Sequence, residues 1–175
     1  MRAGLSRLVL AAVLAGSFAL AAEGALAADS RIERGFEIAP VPLKLKGLER
    51  DLVGLGSYIV NGSGDCNGCH SKHEYLAGGD PFKGQPAKID QAHYLTGGQA
   101  FGPVLSANLT PDNNGLPGGM TLRQFFAAIR NGQDPDNPKR LLQVMPWPTY
   151  SHMQDRDIRA IYEYLRAIPS RGKHE

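Results

Sequence analysis

Both cysteines of the chain lie in one short run, Gly64-Asp65-Cys66-Asn67-Gly68-Cys69-His70. Two thiols three positions apart, followed at once by an imidazole, admit a small set of chemistries. A Cys66–Cys69 disulfide would close a very small loop and constrain little. A thioredoxin-like dithiol sits at the end of a strand in a βαβ pattern, and no such pattern surrounds this run. A tetrahedral zinc site needs four ligands, and no second close Cys/His pair is present, since His73 and His93 are far from that arrangement. The remaining chemistry is covalent haem attachment, for which C-x-x-C-H is the specific signal. Cys66 and Cys69 can each form a thioether to one vinyl group of the porphyrin, which places His70 under the iron as proximal ligand. The small residues Asn67 and Gly68 let the turn lie close to the ring. One motif implies one haem c.

An iron that shuttles electrons without binding anything else needs a second axial ligand. Beyond the first residue the chain offers Met120, Met145 and Met153. Met120 in GGMTLRQF and Met153 in SHMQDRDI each precede a helix start, where a methionine serves as a packing staple. Met145 lies in LLQVMPWPTY, where Pro146 and Pro148 bracket Trp147 and disfavour both helix and central strand. A rigid apolar loop suits a thioether, which is flexible and binds iron weakly unless positioned, and Trp147 can wall the ring from water. Met145 is therefore the expected sixth ligand, with His93 as its competitor.

The elements that must position these residues can be read from periodicity. Leu52, Leu55, Gly56 and Ile59 fall at i, i+3, i+4 and i+7, one face of a helix leading into the haem motif. Thr121-Leu122-Arg123-Gln124 is a capping-box start, with Leu122, Phe125, Phe126 and Ile129 on the following apolar face and Gly132 placed to end the helix. A last helix is expected from Asp155 to Ala167, before Pro169, with Ile158, Ile161, Tyr162 and Leu165 inward and two aspartates at its N-terminus. The 21 glycines and 12 prolines point to long ordered loops between few helices. The predicted class is all-α, with few helices and long loops packed around one covalently bound haem.

Residues 1–27 carry Arg2 and Arg7, an apolar run from Leu8 to Ala22, and a small-x-small site at Ala25-Leu26-Ala27. This is the layout of a secretory signal peptide, with an uncleaved membrane anchor as the alternative, and it predicts export with cleavage near Ala27; the resemblance given below implies the periplasm. An extended segment is expected over 28–47, the folded domain over 48–169 and a polar tail over 170–175. The formal net charge of +2 shows no concentrated basic stripe, so no nucleic-acid partner is expected.

Read in order, GLGSYIV, CNGCH, SANLTPD, TLRQFFAAIRNG, LLQVMPWPTY and DRDIRAIYEYLRAIP resemble a class I cytochrome c. The likeness covers about residues 35–169. It is strongest to bacterial periplasmic monohaem cytochromes and to cytochrome subunits of membrane dehydrogenases, which share the N-x-T-P-D and M-P-W/Y signatures. The resemblance implies that Cys66 and Cys69 carry the haem, that His70 is proximal and Met145 distal, and that the loop Asn108–Asp112 packs near the haem edge. It also implies a close crossing of the first and last helices at a glycine, for which Gly56 against Tyr162 and Leu165 is the candidate. Two features depart from the pattern: the stretch 71–100 is longer than in the smallest members, and dehydrogenase subunits often carry several haem domains. The expected function is an exported electron carrier, not an enzyme, exchanging electrons with donor and acceptor proteins. The alternatives are a haem enzyme or ligand sensor with an open sixth site, and a cytochrome subunit docked to a membrane-bound oxidase or dehydrogenase.

Overall fold

The structure is a computed structural model in which residues 30–172 are described. The expected signal peptide, residues 1–27, lies outside them. The three helices read from periodicity are present, at α2 Arg50–Tyr58, α4 Leu122–Asn131 and α6 Asp155–Ala167. In α4 the capping box forms as expected: the Thr121 hydroxyl accepts from the Gln124 amide, and the Gln124 side chain accepts from the Thr121 amide. Gly132 then ends the helix at φ 64°, a left-handed conformation that costs glycine little.

The helix α2 does not stop cleanly. It runs into a π-helical turn, Ile59–Ser63, closed by the Gly64 amide donating to the Ile59 carbonyl at 2.7 Å. The widened turn redirects the chain into α3, Cys66–His70.

The helices α2 and α6 cross at Gly56, as expected, but against other residues. A Cβ placed at Gly56 would run into the backbone carbonyl of Ala160 and stand 2.7 Å from Tyr164 Cβ. Tyr162 and Leu165 point elsewhere, because α6 is buried on more than one side. Ala160 and Tyr164, four residues apart, meet α2. Ile161 and Leu165, the next such pair, line the cavity described below, and the Tyr162 hydroxyl donates to the Met120 carbonyl at 3.0 Å.

The N-terminal segment, expected to be extended, is helical over residues 30–38 (α1) and irregular from 39 to 49. It packs on the opposite side of α2, where a Cβ at Gly54 would stand 2.7 Å from the Ile32 carbonyl oxygen. The Ser57 hydroxyl donates to the Gly35 carbonyl at 2.6 Å, and the Arg50 guanidinium lies 4.2 Å over the Phe36 ring. Ile32, Gly35 and Phe36, at helical spacing, form the face of α1 that this contact covers.

A buried polar cluster ties these helices to the long stretch 71–100. Asn61 Nδ2 donates to Tyr164 Oη at 3.1 Å and to Ser57 Oγ at 3.1 Å, while Tyr94 Oη donates to Asn61 Oδ1 at 2.5 Å and meets Tyr164 Oη at 2.8 Å. The stretch itself folds back on its own backbone, with the Leu76 and Lys88 segments paired and a short 3₁₀ turn at Pro81–Lys83. A two-stranded antiparallel hairpin, β1 Ala100–Phe101 and β2 Val104–Leu105, follows as the one sheet among the described residues. The remaining element, α5 Trp147–Tyr150, is a single helical turn where a loop was expected. Proline is tolerated in a first helical turn, where its missing N–H has no partner to lose. No helix among the described residues is long and apolar enough to cross a membrane.

Candidate haem-binding site

The short helix α3 begins after Asp65, whose φ of 45° is left-handed, a conformation that aspartate tolerates better than most residues. The turn directs Cys66, Cys69 and His70 to one cavity of about 310 Å³ between α3, the hairpin and the loop before α5. Burial, helped by the charge of Asp65 and the neighbouring Cys69, pushes the Cys66 thiol up to about 12. Burial and Asp65 also raise Cys69. Both side chains are therefore neutral thiols at neutral pH, and both cysteines are free. Asn67 and Gly68, expected to let the turn lie close to the ring, do not themselves line the cavity. Asn67 is buried and accepts a hydrogen bond from Ser71 Oγ at 2.5 Å, and a Cβ at Gly68 would meet the Asp65 carboxylate at 2.8 Å. Their smallness serves the turn itself.

His70 is held by a contact that its neighbours in sequence do not announce. Its Nδ1 lies 2.8 Å from the Ala107 carbonyl oxygen. A carbonyl can only accept, so Nδ1 carries the proton and Nε2 keeps its lone pair. Burial lowers the pKa of the ring and outweighs the hydrogen bond to Ala107, which raises it, so the imidazole is neutral at neutral pH. A neutral ring with its far nitrogen hydrogen-bonded to a carbonyl is the usual state of a histidine metal ligand.

All three candidate methionines face the cavity. Met145 is half-buried in the segment before α5, and that segment is anchored from behind. The Trp147 indole packs on Gly132, donates from Nε1 to the Leu142 carbonyl at 3.2 Å, and does not line the cavity. Trp147 thus braces the Met145 segment instead of walling the ring, and the wall residue is Tyr150, whose hydroxyl donates to the Gly64 carbonyl at 2.9 Å. That bond joins the methionine side of the cavity to the start of the cysteine turn. Met120 and Met153 pack as expected but also line the cavity, and Met120 is the most buried of the three. His93 does not line it: its Nδ1 pairs with Asp90 Oδ2 at 2.7 Å, and its ring meets His73 edge-on at 6.0 Å.

The outer lip carries Val104, Leu105 and Val144, which are 38%, 67% and 42% exposed in the chain alone. Such a lip above neutral thiols and a bare imidazole nitrogen suits a wide apolar disc, which would remove those side chains from water. Arg140 is the one lysine or arginine among the lining residues. The carboxylate of Asp134 holds it, with Oδ2 2.8 Å from Nε and 2.6 Å from Nη2. The residues present therefore fit a haem. They do not form a bare metal centre: among the described residues no group of three or more His, Cys, Asp or Glu side chains is arranged to hold an ion. Ala107, Tyr150 and Arg140 were absent from the residues singled out in sequence. A backbone acceptor leaves no side-chain signal, though the N-x-T-P-D motif begins one residue after it.

Comparison with known proteins supports a cytochrome c family. The chain is 34% identical over 114 residues to the gluconate 2-dehydrogenase cytochrome c subunit of Pantoea cypripedii, covering 65% of this chain and 22% of that protein. It is 31% identical over 119 residues to the fructose dehydrogenase cytochrome subunit of Gluconobacter japonicus, covering 66% and 21%. It is 25% identical over 111 residues to a diheme cytochrome c-type protein of Cereibacter sphaeroides, covering 61% and 33%. The chain spans about a fifth of the length of the dehydrogenase subunits it matches. No protein-family model and no solved structure matches it.

Proposed function

We propose that the chain is a periplasmic electron-transfer cytochrome carrying one haem c, held by thioethers to Cys66 and Cys69 and ligated by His70 and Met145. Bound haem would supply a one-electron Fe(III)/Fe(II) couple. The observation that carries this reading is the His70–Ala107 hydrogen bond at 2.8 Å, set beside two neutral thiols in an apolar cavity. Ala107 fixes the tautomer and orientation of the imidazole. The segment behind Met145 presents a thioether, and His/Met ligation in an apolar shell favours a high potential. Arg140, the cation of the cavity, would meet the propionates. A single C-x-x-C-H run supports one haem.

A docked role is favoured by one observation: the relatives include cytochrome subunits of gluconate and fructose dehydrogenases. On this reading a dehydrogenase donates electrons to the chain, which remains a carrier and performs no reaction on substrate. The test is the spectrum of the purified holoprotein. A sulfur-to-iron charge-transfer band in the oxidised form, with no carbon monoxide binding by the reduced form at neutral pH, is expected of a carrier. Rapid carbon monoxide binding would favour the enzyme or sensor reading.

A further inference from the structure

We propose that the segment after α6 is a strap that holds the loop bearing the His70 partner, with Asn108 as its fastening, which makes Asn108 a positioning residue for the axial imidazole. This rests on the haem reading above. Asn108 follows Ala107, whose carbonyl accepts from His70 Nδ1. Its Oδ1 accepts from the Thr110 amide and the Thr110 hydroxyl, both at 2.8 Å. Its Nδ2 donates away from the turn, to the carbonyls of Arg171 at 3.2 Å and Gly172 at 2.9 Å. The side-chain amide thus uses both of its acceptor and both of its donor positions.

The tail answers with bonds of its own. The Arg171 amide donates to Thr110 Oγ1 at 3.1 Å, the Ser170 hydroxyl to the Pro111 carbonyl at 2.6 Å, and Arg171 Nη2 to the Gln91 carbonyl at 3.3 Å. The strap starts from a fixed point, since Ile168 is 1% exposed in the core. On its other flank the loop is pinned by residues 95–98. The Leu109 amide donates to Leu95 and the Gly98 amide to Ser106, each at 2.9 Å, and the Gly97 amide donates to the His70 carbonyl at 2.6 Å. A Cβ at Gly97 would stand 2.5 Å from the Ala107 carbonyl carbon.

Asn108 makes a turn of its own, its Oδ1 accepting from the Thr110 amide two residues on, but that turn uses only the acceptor side of the amide. The following turn is made separately by Asp112, whose Oδ1 accepts from the amides of Asn114 and Leu116 at 2.8 Å. What the Asn108 amide adds is the link to the tail. Because the Nδ1–H···O=C bond sets ring orientation and the basicity of Nε2, loosening the loop weakens the donor and moves the potential positive.

The test compares the holoprotein with Asn108→Ala, Asn108→Asp (which keeps the acceptor and loses both donors) and a chain ending at Pro169. Residue-resolved amide exchange and the reduction potential are measured on each. Exchange at Leu109 and Gly98 is expected to speed up roughly tenfold in Asn108→Asp, which loses two modest hydrogen bonds, and by at least as much in Asn108→Ala, which loses four, and in the shortened chain, which loses five. Exchange in α2 should stay at the parent rate, and the potential should move positive. A Pro169-terminated chain with parental loop exchange and potential would overturn the proposal, whether or not Asn108→Ala folds. A shift in Asn108→Ala alone would also overturn it, since asparagine would then serve only its own turn. A parent without covalent haem would sink the haem reading instead, and loop exchange would still decide the strap.

Discussion

The corner where α1, α2 and α6 meet and the arc of loops on either side of α4, residues 71–119 and 132–146, hold their shapes by different means. At the corner, backbone lies against backbone: Gly54 faces α1, Gly56 faces Ala160, and the hydroxyls of Ser57, Tyr94 and Tyr164 are satisfied inside with Asn61. In the arc Ser71, Leu95, Thr96 and Pro117 are buried but most side chains are not, and order comes largely from turn hydrogen bonds and from anchors such as Trp147 on Gly132 and Asn108 on the tail. The cavity lies between the two. Its floor belongs to the corner and α6, while the Ala107 carbonyl that holds His70 and the Met145 thioether that faces the cavity belong to the arc. The closely packed half supplies the container, and the less buried half supplies the groups that would tune a bound haem.

Substitutions can test this division, and the largest effect belongs to the corner. A Gly56→Leu side chain meets the Ala160 carbonyl, and backbone cannot step aside as a side chain can. A loss of about 3 kcal/mol is expected, at the upper end for overpacking. Urea melts of the parent and variant measure it, and an unchanged midpoint would mean the crossing is misplaced. Next comes Tyr164→Phe, which removes the hydroxyl shared by Tyr94 and Asn61 and leaves buried polar groups short of a partner. About 1–2 kcal/mol is expected from the same melts, and a loss under a few tenths would show the cluster to be slack.

The smallest stability effect should come from the arc, with the largest spectroscopic one. Met145→Ala truncates a half-buried side chain and should cost no more than about 1–2 kcal/mol, below the range for a fully buried methionine. It should nonetheless abolish the sulfur-to-iron band, lower the potential and admit carbon monoxide. Met120→Ala should do the reverse, with a cost of about 2 kcal/mol, the low end for a buried methionine because one side already faces the cavity, and the band retained. If Met120→Ala or Met153→Ala removes the band while Met145→Ala keeps it, the ligand assignment moves to that residue.

The same division explains what could be read in the sequence. The helices α2, α4 and α6 were legible because amphipathic periodicity and capping are local, and α6 matches its expected span. The helix α1 was missed because its apolar face, Ile32, Gly35 and Phe36, is short and its contact with Gly54 is a relation between segments. The cysteine turn and His70 were legible as a motif, whereas the Ala107 carbonyl was invisible as a side chain. Trp147 was misplaced because an aromatic beside an expected ligand suggests a wall. Its packing on Gly132 depends on where α4 ends, a relation between segments that the local pattern does not contain.

The central claim is that Cys66 and Cys69 carry the cofactor covalently, and the most direct test is intact-mass analysis of the purified chain after denaturation and acidic acetone extraction. The account predicts that colour stays with the protein and that the mass shows one haem, localised to the peptide containing Cys66-Asn67-Gly68-Cys69-His70. Haem released into the acetone, or a Cys66–Cys69 disulfide on a colourless chain, would contradict it.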